Sequence, residues 1–417
     1  MKIDANHLSG PCSCGGEHLL ATQICVIQEG ALFHLEEILS SIPVVGKRCA
    51  VYDENTYRAI PNSIHPRAEQ EIILSPSGLH ADENSTASVL ARLEPDIQVM
   101  LAIGGGTVHD ITRYCSTERG IPFISIPTAA SCDGFCSNVA AMTWHGYKKT
   151  IPCQAPLLVV ADLDVISAAP WRLTASGIGD MLGKFIALTD WRISHLLTGE
   201  KLCPVIYQIM EDAVDSIWTR CRDLRSGGSA AYEAVVYGLL MSGLAMQMIG
   251  TSRPASGAEH HVSHFIEVEP AALRTHSSAL HGEKVGVGTL LIAQEYQRLS
   301  QIENIASLAL PYAPVSDERL MEVFGPRLFS ACREENLHDC LAQVTPERLI
   351  QQWPQIRQII AKIPPAAQIH QFLTDLKASA SLSDLGVPEA ALELILESSP
   401  LIRNRLTFMR VRRMIRH

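Results

Sequence analysis

The residues best suited to chemistry cluster in the second half of the chain. His260 and His264 are four apart in SGAEHHVSH, His281 opens HGEKVGVGT, and Asp180 lies upstream in GIGDMLGK. Residues four apart share one face of a helix, so His260 and His264 can point into a single cleft that Asp180 and His281 enter from neighbouring helices. A carboxylate with two or three imidazoles suits a divalent transition metal, and a three-ligand set leaves one position open for substrate.

A glycine-rich turn is the second candidate. Gly104, Gly105, Gly106 and Thr107 follow the apolar run IQVMLAI and precede a helical stretch that contains Asp110. Such a turn lets the backbone approach a phosphate closely, and the N–H groups at the next helix start attract its charge. The pattern is not the G-x-G-x-x-G dinucleotide fingerprint, and a turn of this kind is often purely structural.

Two further polar turns follow apolar runs. Asp53 closes an early strand, where a carboxylate can bind the ribose hydroxyls of a dinucleotide or simply cap the next helix. The segment PTAASCDG, which contains Thr128, Ser131 and Asp133, follows IPFISI. It places two hydroxyls and a carboxylate at the carboxyl end of a strand, where α/β sheets bind ligands, although it also has the composition of an ordinary turn.

The cysteines predict thiols in a reducing compartment. The chain has 12 of them in 417 residues and opens with no charged-then-apolar leader, from which we expect a cytoplasmic location. Cys12, Cys14 and His18 in CSCGGEH are too close together for the usual zinc-ribbon spacing and lack a matching pair, so we interpret the segment as an N-terminal hairpin. Cys132, Cys136 and Cys153 have no neighbouring histidine base in sequence, which disfavours a nucleophilic role.

Composition excludes several classes of protein. Hydrophobic residues make up 47% and charged residues 19% of the chain, which is typical of a globular enzyme. The net charge of −10 disfavours binding to nucleic acid. The longest uncharged run, 234–252, is interrupted by polar residues and glycines, so we predict a buried helix and no insertion into a membrane.

The chain is predicted to contain two domains, with a boundary near 168. Short β-branched runs alternate with helical stretches in the first part, which indicates a parallel, Rossmann-like sheet covered by helices. The predicted strands are 24–28, 49–52, 71–74, 97–103, 121–126 and 157–161. Beyond 170 the pattern is helical, at 171–199, 203–224, 229–250, 256–266 and 281–299. We therefore predict an α/β nucleotide-binding domain at 1–168 and an all-α domain at 169–417 that binds metal and substrate.

The motifs occur together in an order that resembles a known family. GGGTVHD, PTAASCDG, GIGDMLGK, SGAEHHVSH, LHGEKVGVGT and the terminal IRNRLTF are similar to the motif series of sn-glycerol-1-phosphate dehydrogenases. These belong to the superfamily of iron-containing alcohol dehydrogenases and dehydroquinate synthases. The resemblance runs from about residue 24 to 405, and it implies the dehydroquinate synthase-like fold.

The resemblance also assigns roles to residues. It implies that NAD or NADP is bound by Asp53, at the adenosine ribose, and by Gly105, Gly106, Thr107, Asp110, Thr128, Ser131 and Ser137. It implies one divalent metal, zinc before nickel or iron, on Asp180, His260 and His281, with Asp133 and His264 as the catalytic residues that meet the substrate. His261, next to His260, leaves the register of the ligand open. For the substrate phosphate, which no motif fixes, Lys149 and Lys184 are candidates because they lie near the polar turn and near Asp180.

The expected reaction is the reversible reduction of dihydroxyacetone phosphate to sn-glycerol 1-phosphate. The alternatives are a glycerol dehydrogenase-like polyol oxidoreductase and, less favoured, a dehydroquinate synthase-like lyase, because Asp180 and GFCSNVAAMTWHG stand where that enzyme is expected to have a Glu and a GGKTG-like segment. A degenerate, non-catalytic partner protein is disfavoured because each expected type of ligand is present. The apolar helical half further predicts a homodimer.

Overall fold

The computed structural model describes residues 1–144, 147–221, 224 and 228–416. The chain divides into two compact units, each with two segments. The first unit comprises Met1–Ile178 and Asp215–Thr251, and the second comprises Gly179–Val214 and Ser252–His417. This division differs from a single boundary at 168, because the chain leaves the first unit, returns to it and leaves again.

The first unit is built on a parallel sheet. The strands are β1 (Lys2–Asp4), β2 (Gly10–Pro11), β3 (Glu17–His18), β4 (Ile24–Gln28), β5 (Arg48–Asp53), β6 (Gln70–Leu74), β7 (Val99–Gly104), β8 (Phe123–Pro127), β9 (Val139–Trp144), β10 (Tyr147–Pro152) and β11 (Leu158–Asp162). Seven of them form one sheet in the order β1-β4-β11-β8-β7-β5-β6, in which only β1 is antiparallel to its neighbour. All six predicted strands are found, so the predicted Rossmann-like class is confirmed.

Register brings the predicted nucleotide-binding turns to one edge of the sheet. β7 pairs in parallel with β5 on one side and with β8 on the other, and Gly104 lies opposite Pro127. Since parallel strands end at the same edge, Asp53, Gly104 and Pro127 terminate three adjacent strands there. Two layers of apolar side chains cover the faces of the sheet, one containing Leu32 and Ile103 and the other Val108 and Ile111.

The helices that complete the first unit include one from the later part of the chain. They are α1 (Leu35–Leu39), α2 (Glu54–Ala59), α3 (Glu83–Arg92), α4 (Gly106–Arg119), α5 (Leu163–Ala168), the first part of α6 (Trp171–Leu182), the last part of α8 (Pro204–Arg220) and α9 (Ser229–Ile249). α9 is apolar and long enough to cross a membrane, but 83% of its most apolar window is buried within the protein. It packs against β4, α5 and the turn at Gly134–Cys136, which explains why residues 215–251 return to this unit.

The second unit is helical. It contains the end of α6, the beginning of α8, α7 (Lys184–Thr198), α10 (Ala258–Glu267), α11 (His281–Ser300), α12 (Asp317–Leu337), α13 (Pro346–Ile360), α14 (Ala366–Asp375), α15 (Leu392–Ser398) and α16 (Phe408–Val411). All five predicted helical segments are found, with a break at Gly183 that separates α6 from α7. α10 and α11 make the most extensive helix pair. Gly288 permits this approach, because a Cβ there would lie 2.7 Å from the Glu259 carbonyl oxygen.

Candidate active site

Three helices of the second unit bring together one carboxylate and two imidazoles. Asp180 lies near the end of α6, His260 in the first turn of α10, and His281 at the first position of α11. Their ligand atoms all lie within 4.8 Å of one another. Asp180 is fully buried and His260 nearly so, whereas His281 remains about one-third exposed. The cluster therefore combines a buried anchor with one side open to solvent.

Glu259 orients His260 from outside this cluster. Its Oε1 lies 2.7 Å from Nδ1 of His260 and also accepts a bond from the Gly257 N–H at 2.8 Å. The opposite nitrogen, Nε2, lies 3.5 Å from Oδ1 of Asp180. Burial opposes protonation of His260, but its bonds to Asp180 and Glu259 raise its pKa to about 9. Metal binding must displace that proton from Nε2, while a carboxylate on Nδ1 fixes the tautomer, as is usual for histidine ligands.

Glu267 plays the same part for the other two histidines. Its Oε1 lies 2.9 Å from Nδ1 of His281 and its Oε2 lies 3.2 Å from Nδ1 of His264. Burial opposes ionisation of Glu267, yet the two imidazoles hold its pKa well below the usual range. Nε2 of His281 is thereby left for the cluster with Asp180.

A second combination of ligands overlaps with the first. His264, Glu267 and His281 also bring their ligand atoms within 4.8 Å, but all three are only half-buried. Both oxygens of Glu267 already meet ring nitrogens. The cluster of Asp180, His260 and His281 is more deeply buried, and it therefore fits a tightly held metal better.

Lys184 neutralises the carboxylate of the cluster. Its ammonium lies 2.9 Å from Oδ1 of Asp180 and 3.0 Å from the carbonyl oxygen of Ala255, and the side chain is fully buried. Burial opposes ionisation of Asp180, but the charges of Lys184 and His260 lower its pKa. An ammonium held by two protein oxygens is poorly placed to meet a substrate phosphate. This geometry favours a positioning role for Lys184 over the phosphate contact, which stays a prediction.

The neighbouring histidines of α10 differ in their surroundings. The His264 ring lies 6.0 Å from that of His260 and 5.7 Å from that of His281, measured between centroids. Burial lowers the pKa of His264 to about 4, so the imidazole is neutral at pH 7. His261 is fully buried, lies in neither group of ligands, and finds no hydrogen-bond partner for its ring nitrogens among the described residues. The geometry thus favours His260 over His261 as the ligand.

In the first unit, buried polar contacts hold the glycine-rich turn. Nδ1 of His109 lies 2.9 Å from the Gly105 carbonyl oxygen, and Nε2 lies 2.8 Å from Oγ of Ser125. Burial lowers the pKa of His109 to about 3, so its ring is neutral and supports the glycine-rich turn through these two contacts. The Thr128 N–H donates to the Gly104 carbonyl at 3.1 Å, which ties the two predicted cofactor-binding turns together.

Asp53 caps α2. Its Oδ1 accepts bonds from the N–H groups of Asn55 at 2.8 Å and Thr56 at 2.9 Å. The Thr56 hydroxyl lies 3.2 Å from the Ile103 carbonyl oxygen, directly before the glycine turn. The capping role that the sequence left open is therefore present. A ribose hydroxyl would need only Oδ2, so the two roles are compatible.

The other predicted cofactor and substrate residues of this unit differ in their contacts and in their exposure to solvent. Asp110 pairs with the fully buried Arg113. The Ser137 hydroxyl bonds both the N–H and the carbonyl of Val139 at 3.1 Å. Thr128 is buried, and Ser131 is half-buried. Lys149 is exposed on β10, in the hairpin of β9 and β10.

Asp133 is held by a residue far away in sequence. The hydroxyl of Ser242, which is buried in α9, donates to Oδ2 of Asp133 at 2.7 Å. The neighbouring Gly243 allows α9 to approach, because a Cβ there would lie 2.6 Å from Cβ of Cys136. Asp133 is therefore a fixed carboxylate on the polar turn.

Comparisons with known proteins identify the family of the chain. The chain is 32% identical over 413 residues to a protein of Geobacillus stearothermophilus named glycerol-1-phosphate dehydrogenase, NAD(P)+, and the match covers 96% of this chain and 95% of that protein. The chain belongs to the glycerol-1-phosphate dehydrogenase family. A sequence model of the iron-containing alcohol dehydrogenases also matches residues 26–170.

Solved structures show the same fold as this member of the glycerol-1-phosphate dehydrogenase family. A probable glycerol dehydrogenase from Sinorhizobium meliloti superposes with a TM-score of 0.62 at 16% identity, covering 92% of this chain and 90% of that one. A sulfoacetaldehyde reductase from Bifidobacterium kashiwanohense, in complex with NAD+, gives a TM-score of 0.60 at 13% identity, covering 94% of each chain.

In this member of the glycerol-1-phosphate dehydrogenase family, the structure shows three polar residues that orient the site residues and that the sequence motifs did not single out. Glu259 and Glu267 set the histidine tautomers, and Ser242 fixes Asp133. Sequence signals for the two glutamates existed, since one directly precedes His260 and the other follows His264 by three residues. Ser242 carried no such signal, because its partner is 109 residues away.

Proposed function

We propose that the chain catalyses the reversible, metal-dependent reduction of dihydroxyacetone phosphate to sn-glycerol 1-phosphate with NADH or NADPH. One observation carries this proposal: a chain similar over nearly its full length to a glycerol-1-phosphate dehydrogenase has Asp180, His260 and His281 within 4.8 Å of one another. A carboxylate and two imidazoles form a donor set that fits a divalent transition metal and leaves a position for substrate.

The second unit supplies the metal-binding part of the mechanism. Asp180, His260 and His281 would hold the ion, which when bound supplies the Lewis acidity that polarises a carbonyl. Glu259 and Glu267 keep Nδ1 protonated on two ligands, so that Nε2 faces the ion. Lys184 holds Asp180 in place.

The first unit supplies the cofactor-binding part. NAD or NADP, when bound, supplies the hydride acceptor or donor. N–H groups of Gly105, Gly106 and Thr107 at the start of α4 would bind its pyrophosphate. Asp53 would bind the adenosine ribose, while Asp110, Thr128, Ser131 and Ser137 complete the proposed set of cofactor contacts.

Asp133 and His264 are the proposed substrate-facing residues. Ser242 fixes the Asp133 carboxylate, so that it can accept a bond from a substrate hydroxyl. His264 is neutral at pH 7, and its Nδ1 meets Glu267. His264 would therefore relay a proton by accepting it at one ring nitrogen and releasing another from the second ring nitrogen. It would not act as an acid that is already protonated at pH 7. Lys149 remains the candidate for the substrate phosphate.

The function is tested by comparing substrates under identical conditions. NADH oxidation is measured with dihydroxyacetone phosphate, dihydroxyacetone and glyceraldehyde 3-phosphate, and the chirality of the product is determined. We expect turnover with the first substrate and the sn-1 product. Preference for dihydroxyacetone would instead support a glycerol dehydrogenase, and absence of redox turnover with all three would contradict the proposal.

Further properties belong to the same proposal. We favour zinc, before nickel or iron, as the metal, and a cytoplasmic homodimer that acts on a small phosphorylated substrate and binds no nucleic acid. Elemental analysis of the purified chain, NADH-fluorescence quenching and light scattering test these points separately.

A further inference from the structure

The N-terminal segment CSCGGEH folds as the predicted hairpin. β2 pairs with β3, which places Gly10 opposite His18. The turn between them closes through bonds from the Cys12 N–H to the Gly16 carbonyl at 2.9 Å and from the Gly15 N–H to the Cys12 carbonyl at 3.0 Å. Gly15 has a φ of +77°, a conformation that favours glycine. This tight turn brings residues 12, 14 and 18 to one side.

The hairpin gathers two sulfurs and one imidazole. The ligand atoms of Cys12, Cys14 and His18 lie within 4.8 Å of one another. Sγ of Cys14 lies 3.8 Å from Nε2 of His18. In a tetrahedral zinc centre with the usual bond lengths, a sulfur and a nitrogen ligand are about 3.6 Å apart. The spacing along the chain is too short for a zinc ribbon, but a metal requires proximity in space, and the turn provides it.

Two independent contacts hold His18 and Cys12 in positions that suit metal ligands. Nδ1 of His18 lies 2.7 Å from the Met248 carbonyl oxygen in α9, and the ring is only 4% exposed. That bond fixes the tautomer with Nε2 towards Cys14, which is the usual arrangement around a histidine ligand. The Cys14 N–H lies 3.5 Å from Sγ of Cys12 and donates to it, which fixes the position of that sulfur.

We propose that Cys12, Cys14 and His18 bind a thiophilic divalent ion, zinc by its chemistry, as three of the four ligands of a structural centre. The fourth position is left for a donor outside residues 12–18. The site shares no residue with the cluster of Asp180, His260 and His281. Through the bond between His18 and Met248, the ion would fasten the hairpin to the end of α9.

Cobalt separates the two sites, because only the hairpin site has sulfur ligands. The full chain is stripped of metal under reducing conditions and titrated with Co²⁺, while thiolate-to-cobalt charge-transfer absorption is recorded in the near ultraviolet. We expect this absorption to saturate at one ion per chain. It should persist in His281→Ala, and in Cys153→Ser as the matched control, since Cys153 is also half-buried. It should disappear in the double variant Cys12→Ser/Cys14→Ser, and His18→Cys should increase it per bound ion.

A second measurement needs no variant. The wild-type chain is treated with iodoacetamide with and without added Zn²⁺, and the modified cysteines are mapped by mass spectrometry. Zinc should slow alkylation of Cys12 and Cys14 several-fold and leave Cys153 unaffected. Equal rates with and without zinc, no sulfur absorption with cobalt in the wild type, or unchanged absorption in the double variant would each overturn the proposal.

Discussion

Lys184 and Asp180 form a fully buried ion pair, with 2.9 Å between Nζ and Oδ1. The pair joins the end of α6 to the start of α7 across the break at Gly183. Because the carboxylate is also a proposed metal ligand, the lysine and the ion compensate the same negative charge. This relationship predicts that the stability of the second unit and its occupancy by metal are linked.

Replacement of Lys184 by Met tests that linkage. Without metal, the variant removes the ammonium that pairs with the buried Asp180 carboxylate. Loss of one partner of a buried ion pair typically lowers the free energy of unfolding by about 3–5 kcal/mol. Bound metal supplies a compensating charge, so the loss should be smaller in the loaded protein. We expect a larger metal-induced rise in Tm for Lys184→Met than for the wild type. An equal rise in both would contradict the linkage.

Removal of a ligand from the cluster of Asp180, His260 and His281 should abolish metal binding at that cluster and activity together. His281→Ala and Asp180→Asn each delete one donor from the proposed set, and loss of a ligand releases the ion. Elemental analysis and turnover measure both effects, while circular dichroism checks the fold. His370→Ala, at an exposed position of α14, serves as the control. The metal content of the wild type, together with full activity, in either ligand variant would disprove the site.

The two histidines of α10 should respond differently to the same substitution. His260→Ala is expected to lose the metal of this cluster, because it removes a buried ligand. His264→Ala is expected to keep the metal and to lose turnover by roughly 10²–10⁴-fold, which is typical of a group that moves a proton. Both changes delete the same atoms from one helix, so metal content and turnover can be compared directly. The reverse pattern would place the ligand one helical turn later.

Asp53 should discriminate between NAD and NADP. A carboxylate beside the ribose repels the 2′-phosphate of NADP, so Asp53→Ser is expected to raise the relative use of NADPH. Serine is also a good N-cap, so α2 should remain capped. The ratio of kcat/KM for NADPH to that for NADH measures the effect. An unchanged ratio would place the ribose contact at another residue.

Asp190 should make the second unit less stable as pH rises. Its carboxyl group accepts bonds from the Ala258 N–H, the Phe408 N–H and the Tyr296 hydroxyl, and burial raises its pKa to about 7. Between its unfolded pKa of about 3.9 and about 7, the folded state binds more protons than the unfolded state, so this contribution to stability is lost as pH rises.

The variant Asp190→Asn isolates that contribution. The asparagine amide would turn its NH₂ group towards one of the three groups that donate to Asp190. That donor then loses its acceptor, which lowers the free energy of unfolding by about 1–3 kcal/mol. The deficit in Tm relative to the wild type should be largest at about pH 5 and smaller at about pH 8, where the wild type has lost its own contribution. A deficit that does not change with pH would show that Asp190 titrates outside this range.

Much of the framework could be predicted because its signals are local. The glycine turn at Gly104 follows a β-branched run, and the spacing of His260 and His264 indicates one helical face. The hairpin of β9 and β10 was missed, since paired alanines in β9 and paired lysines in β10 interrupt the apolar pattern by which the strands of the large sheet were predicted. Its register, Lys149 opposite Met142, follows only from the structure.

Other features depended on contacts that are distant in sequence. The role of Glu267 requires α11 to place His281 beside α10, and the hold of Ser242 on Asp133 requires the return of α9 to the first unit. The buried position of Lys184 likewise follows from the carbonyl of Ala255, 71 residues later. Spacing alone carries no such information, which is why a phosphate contact was predicted for Lys184.

The return of α9 also has a consequence for how the protein is made on the ribosome. The sheet is complete in sequence by Asp162, but the helix that packs against β4 and α5 ends at Ile249. At roughly 5–20 residues per second, synthesis from 162 to 249 takes about 4–17 s. During that interval the surfaces of β4 and α5 that α9 later covers stay exposed, so the emerging chain is most prone to aggregation before α9 has been made.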